Sequence, residues 1–221
     1  AGIDSTDVAY AVSPFHFDLG MFEALGMLSI GASVVMAPDE VHPLKWLSDV
    51  QKYEVTVWNS TPAILGLLLQ AAESQGQVLS SLRTVILAGD RIPVSLPEQL
   101  WNLAPNANLI ASGGPAETCV WSIYYPVPRN FSPVQEAIPH GRPMRNQKYY
   151  ILDEQGRETP DWVTGEMVVE SAVGLADGYV NQPELTNAKF YVDPESGQRR
   201  YRTGDLGRWR PDGLIEILGR K

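Results

Sequence analysis

Three carboxylates stand in settings that could do chemistry. Asp205 lies in a Gly-Asp turn within RRYRTGDLGRWRPDGLIEILGRK, between two strand-like runs, and the second run ends on Gly219-Arg220. A carboxylate on a turn can accept from both hydroxyls of a ribose, and an arginine nearby can donate to the same sugar. A β-hairpin with ordinary turn residues gives the same Asp-Gly pairs. Glu117 follows the glycine turn of SGGPAET, Ser112 to Thr118. Glycines let a ligand come close to the backbone, and Glu117 offers a hard oxygen suited to Mg²⁺, the companion of a nucleoside triphosphate. Gly-Gly-Pro is also simply a turn. Asp18 is preceded by Phe15, His16 and Phe17 and followed by apolar residues. A carboxylate there is costly unless it meets a cation, so it reads either as the partner of a ligand ammonium or as a helix N-cap. Asn59, after Trp58 at a strand end, is a pocket amide or a turn residue. His16, His42 and His140 show no metal-ligand spacing. Cys119 reads as a packed small residue, because no pairing histidine is indicated.

Alternating elements must position these groups. Apolar runs at VAYAVS, ASVVMAP, VTVWNS, TVILAG and ANLIAS read as strands. Between them FDLGMFEALGMLSIG has helical spacing at Leu19, Phe22, Leu25, Gly26 and Ser29. HPLKWLSDVQKYE is amphipathic, TPAILGLLLQAAES opens with Thr61 as N-cap and Pro62 in the first turn, and a further helix runs from about Val94 to Leu103. Continuous apolar strands alternating with helices predict an α/β fold, a parallel sheet flanked by helices. Ligands of such sheets bind beyond the carboxyl ends of the strands, which points to the turns after Ser13, Ser60, Ala88 and Ser112. From Pro126 the texture changes. PVPRNFSP is a proline-rich connection, and short strands separated by Gly, Asp and Pro turns follow, predicting a β-rich, barrel-like or distorted-sheet subdomain. The expected division is 1–128 for the α/β part and 129–221 for the β-rich part.

The chain has 221 residues, 44% hydrophobic and 19% charged, with a net charge of −9. That balance argues against nucleic acid as the main partner, since a phosphate backbone needs a basic face; a few local donors still suffice for a small phosphate-bearing ligand. A single cysteine cannot form an internal disulfide, which fits a reducing, cytoplasmic setting. No apolar run is long enough to span a bilayer. The start at Ala1 without methionine and the stop after a strand at Lys221 read as the ends of a piece of a longer polypeptide.

The chain resembles the adenylation domains of nonribosomal peptide synthetases, within the adenylate-forming superfamily. FHFDLG resembles the family's aromatic-Asp motif, and SGGPAETCVWS its Tyr-Gly-Pro-Thr-Glu motif. HGRPMRNQKYYILD and GEMVVESAVGLADGYVNQPELTNAKF follow its next two blocks. YRTGDLGRW matches closely, and GRK opens the block leading to an interdomain hinge. These matches, in order, cover essentially the whole chain.

The resemblance implies that an amino acid carboxylate attacks the α-phosphate of ATP, giving an aminoacyl-adenylate and pyrophosphate. The acyl group then passes to the phosphopantetheine thiol of a carrier-protein domain. Asp205 would bind the ribose hydroxyls with help from Arg220, and Glu117 would hold Mg²⁺. Gly89, Asp90, Gly113, Gly114 and Pro115 would line the nucleotide site. Asp18 would pair with the substrate ammonium, and Leu19, Phe22, Asn59, Ile86, Ala88, Ser112, Val120 and Trp121 would complete the side-chain pocket. Phe22 and Trp121 fill space, so the implied substrate is small, with cysteine favoured and alanine next. Asp18, Glu117 and Asp205 are expected to serve one cleft.

The chain departs from the family pattern at two places. Gly113 stands where the family has a tyrosine stacking on adenine, and Ala116 where it has a threonine contacting phosphate. The family's glycine-rich phosphate loop and its C-terminal subdomain, with the lysine that contacts the reacting carboxylate, have no counterpart here. The isolated residues are therefore expected to be inactive, and an inserted domain after Lys221 is compatible with the pattern. Two rival readings are an acyl- or aryl-acid CoA ligase, against which Asp18 argues, and a non-catalytic adenylation-like scaffold, which Gly113 and Ala116 favour.

Overall fold

A computed structural model of the chain describes residues 2–131 and 138–221. The end of the proline-rich connection, Ser132 and Pro133, lies outside the described residues. The chain divides into two compact units, one formed by Ala1–Ala111 with Pro126–Ile138 and the other by Ser112–Tyr125 with Pro139–Lys221.

The first unit is α/β. Its strands are β1 (Val8–Ala11), β2 (Ser33–Met36), β3 (Val57–Ser60), β4 (Thr84–Leu87) and the first four residues of β5 (Asn108–Gly113). They run parallel in the order β2-β1-β3-β4-β5. β3 and β4 are buried along their whole length, as strands covered on both faces must be. The connecting helices are α1 (Asp18–Met21) and α2 (Met27–Ser29), joined by a π-turn at Phe22–Gly26, then α3 (Pro43–Lys52), α4 (Pro62–Ser74) and α5 (Leu96–Leu103). Pro62 occupies the first turn of α4 as expected, but Thr61 makes no side-chain capping bond. Tyr10 stacks on Trp58 with ring centroids 5.6 Å apart, Trp46 meets Trp58 edge-on, and the Tyr10 hydroxyl donates to Asp49 at 3.0 Å.

One helical face differs from the sequence expectation. The spacing predicts Leu25 inward, yet Leu25 and Leu28 are exposed while Gly20, Glu23, Ala24 and Met27 are buried. The π-turn inserts an extra residue into the helical register, which rotates the following face. Met27 packs with Ala9, Ala32 and Val57, and Phe22 lies against that cluster.

The second unit is β-rich. β6 (Ile123–Val127) pairs antiparallel with β7 (Arg142–Pro143) through Ile123 and Tyr124. β8 (Lys148–Leu152), β9 (Gly165–Glu170), β10 (Phe190–Val192), β11 (Arg199–Trp209) and β12 (Ile215–Arg220) form a distorted antiparallel sheet in the order β10-β11-β9-β8, with β12 on β11. The short α6 (Pro183–Lys189) precedes β10. Ile123, Tyr149, Ile151, Met167, Val169 and Ile215 make the core. Among the described residues no helix is long and apolar enough to cross a membrane.

Candidate functional site

In the first unit the candidate residues gather at strand ends and on the helix after β1. Asp18 is the first residue of α1, half-buried, behind Phe17 at the N-cap position; no side-chain cap bond is made at this end. Asn59 and Ile86 are register partners on β3 and β4, and both are buried. Ala88 follows β4 and is buried, whereas Gly89 and Asp90 are exposed, with Asp90 accepting from the Arg91 backbone N–H at 2.6 Å.

Glu23 is a functional candidate that the sequence did not single out. The residue is 1% exposed. It accepts from the Ser13 backbone N–H at 3.0 Å, the Ser13 hydroxyl at 2.9 Å and the Asn59 amide at 3.1 Å. Burial pushes its pKa up to about 7, against the opposing pull of the Ser13 and Asn59 bonds. A titratable group buried beside a candidate pocket amide, in a π-turn, is the combination that marks functional sites. Among the described residues the side-chain carbonyl oxygen of Asn59 is buried with no hydrogen-bond partner, and leaving such a group unpaired costs about 1–3 kcal/mol.

In the second unit the glycine turn is tightly built. A side chain at Gly114, whose φ is +154°, would meet the Ser122 hydroxyl at 2.6 Å and its backbone nitrogen at 2.8 Å. Gly113 lies under the His140 ring, at 2.3 Å from where a β-carbon would stand to Cε1. The turn is tied down by the Ser122 N–H donating to the Gly113 carbonyl at 2.9 Å and the Ser112 hydroxyl donating to the Ile123 carbonyl at 3.0 Å. Thr118 and Ser122 hydroxyls lie 3.0 Å apart, and Ser122 meets the Tyr149 hydroxyl at 2.6 Å. Pro115 is half-buried and Ala116 exposed. Cys119 and Val120 both have positive φ, +69° and +62°. A β-branched residue in that region stores strain that only surrounding structure can hold, and here it places Val120 and Trp121 half-buried beside the turn. Cys119 itself is exposed rather than packed, because the left-handed turn carries it outward.

Glu117 is the middle residue of the short helical turn Ala116–Thr118. The Tyr179 hydroxyl donates to its carboxylate and lies 3.3 Å from the Tyr201 hydroxyl. Burial alone would raise the Glu117 carboxyl, but bonds from Tyr179, its own backbone N–H and Tyr201 hold it below the ordinary carboxylate value. It is thus an ionised oxygen donor, suited to a divalent cation. Among the described residues no three His, Cys, Asp or Glu side chains group as a metal site.

Asp205 sits where β11 breaks register with β9, between Arg202 and Leu206, while remaining opposite Arg220 on β12. Bulges of this kind re-aim side chains. Arg220 Nε donates to Asp205 Oδ1 at 2.9 Å, and the Asp205 N–H donates to the Thr203 hydroxyl at 2.9 Å.

Comparison with known proteins gives the family. The family model for AMP-binding enzymes matches residues 1–180. The chain is 39% identical over 224 residues to pyochelin synthetase PchF of Pseudomonas aeruginosa, covering 100% of the chain and 12% of that protein. It is 36% identical to bacitracin synthase 1 of Bacillus licheniformis, covering 99% of the chain and 4% of the relative. The crystal structure of the nonribosomal peptide synthetase FmoA3 superposes with a TM-score of 0.95 at 44% identity, over 99% of this chain and 24% of that one. The chain therefore spans a small part of the relatives it matches. It belongs to the AMP-binding enzyme family, as an adenylation domain of the nonribosomal peptide synthetase kind.

Proposed function

We propose that the polypeptide carrying this chain activates a small amino acid with ATP and Mg²⁺ as an aminoacyl-adenylate, and loads it on the phosphopantetheine thiol of a carrier-protein domain. The observation that carries the reading is the whole-chain similarity to FmoA3, which has been solved in AMPPNP-bound and α-methyl-L-serine-AMP-bound forms. Asp205 accepts from the ribose hydroxyls and Arg220 donates beside it. Glu117, kept ionised by Tyr179, offers one oxygen to Mg²⁺, and that ion would neutralise charge on the phosphates. Gly89, Asp90, Gly113, Gly114 and Pro115 flank the nucleotide. Asp18 pairs with the α-ammonium. Leu19, Phe22, Asn59, Ile86, Ala88, Ser112, Val120 and Trp121 select the side chain.

Little covalent work falls to the protein; positioning and charge stabilisation do most of it. The unpaired, buried Asn59 carbonyl favours a substrate whose side chain carries an S–H or O–H, and hence cysteine over alanine. A panel of amino acids, fatty acids and aryl acids in a pyrophosphate-exchange assay tests the reading. Exchange with small amino acids alone is expected, and turnover of fatty or aryl acids alone would assign the chain to the CoA-ligase type.

A further inference from the structure

We propose that the His140 imidazole is the planar face on which the nucleotide's adenine rests in this chain, replacing a side chain at position 113. The inference rests on the adenylation reading above. It starts from the space over Gly113. A β-carbon built there would stand 2.3 Å from His140 Cε1, 3.0 Å from Nε2 and 3.2 Å from Nδ1. The ring therefore occupies the volume in which a residue-113 side chain would begin. Gly113 is not an empty position; its partner is an aromatic ring supplied from 27 residues further along the chain.

The ring is delivered by backbone, which fixes its place. The His140 N–H donates to the Ile215 carbonyl at 2.9 Å, and the Ile215 N–H returns a bond to the Gly141 carbonyl at 2.8 Å. Ile215 is fully buried in the core of the second unit. His140 is thus pinned to the first residue of β12, the strand that ends on Arg220, the partner of Asp205. As a residue His140 is half-buried, neither sealed in the core nor fully exposed. Burial pushes its pKa down to about 4, and near neutral pH it is an uncharged flat ring. Such rings bind bases by stacking, and histidine is among the side chains that do so. A ring held in place before the ligand arrives loses little freedom on binding.

Calorimetric titration of the full-length polypeptide with ATP, and with tripolyphosphate as a probe lacking the base, tests the inference. His140→Ala should weaken ATP binding about ten-fold and leave tripolyphosphate binding unchanged. His140→Phe keeps a flat ring and should stay within about three-fold of the unaltered protein. Gly113→Tyr alone should bind ATP poorly, because its side chain meets the imidazole. Gly113→Tyr with His140→Gly should recover binding, and these last variants carry the test if His140→Ala does not fold. ATP affinity unchanged in His140→Ala would overturn the inference. So would an equal loss of ATP and tripolyphosphate in both His140→Ala and His140→Phe, which is the mark of packing alone. If the unaltered polypeptide binds tripolyphosphate but shows no preference for ATP, the stacking inference fails while the phosphate site stands; if it binds neither, the adenylation reading itself fails.

Discussion

Asp205 and Arg220 face each other in register across β11 and β12, with Arg220 Nε 2.9 Å from Asp205 Oδ1. The Arg220 side chain is 80% exposed. Water competes for such a pair, and exposed ion pairs contribute about 0–1 kcal/mol to stability. The pairing therefore holds Asp205 in place more than it holds the fold. We predict that Arg220→Ala shifts the urea midpoint by less than the equivalent of about 1 kcal/mol, while raising KM for ATP several-fold. A large stability loss with an unchanged KM would make the pair structural.

Glu23 predicts a pH dependence. Its folded-state pKa is pushed up to about 7, above the ordinary carboxyl value of 4.5. The folded protein keeps the proton over a range in which the unfolded chain has lost it. Stability from this group is complete below about pH 4.5, falls as pH rises towards 7, and is level above that. A shift of this size corresponds to about 3 kcal/mol over the window. Glu23→Gln cannot ionise and keeps one carbonyl oxygen able to accept from the Ser13 hydroxyl and the Asn59 amide. Chemical denaturation at pH 5 and pH 8 should show the decline in the parent and a flatter profile in Glu23→Gln; parallel profiles would remove Glu23 from the account.

Tyr179 keeps Glu117 ionised and aimed. Tyr179→Phe removes one hydrogen bond to a charged group, worth about 1.5–3 kcal/mol. We expect a Mg²⁺ requirement raised about ten-fold or more, with KM for the amino acid unchanged. A Mg²⁺ titration of exchange activity reads this directly, and an unaltered Mg²⁺ requirement would argue against Glu117 as a ligand.

Asp18 stands half-buried at the start of α1 without capping it. Asp18→Ala would leave a substrate ammonium without its counter-charge, so KM for the amino acid should rise much more than KM for ATP. Equal effects on the two substrates would point to disturbance of the helix instead.

Much of this was legible in the residues themselves. Apolar runs such as TVILAG could only be buried strands, and β4 is buried throughout. The glycine turn with Glu117 was also visible, because turn chemistry is local; Asp205, expected in a turn between two strands, lies instead within the single strand β11, at a bulge. The missed features depend on non-local geometry. Glu23 looked like the polar side of a helix, and only the π-turn brings it inward against Ser13 and Asn59. A charged residue flanked by Phe22 and Ala24 was the available signal. His140 could not be linked to Gly113 by spacing, since a strand register far along the chain, at Ile215, sets its position. Cys119 was misjudged because its outward direction comes from a left-handed backbone that no residue type there requires.

The central claim is that the Asp205 carboxylate holds the ribose of ATP while an amino acid is activated. Amino-acid-dependent exchange of labelled pyrophosphate into ATP, measured side by side for the full-length polypeptide and its Asp205→Ala variant, tests it most directly. The expected result is exchange driven by a small amino acid and abolished in the variant; undiminished exchange in Asp205→Ala would contradict it.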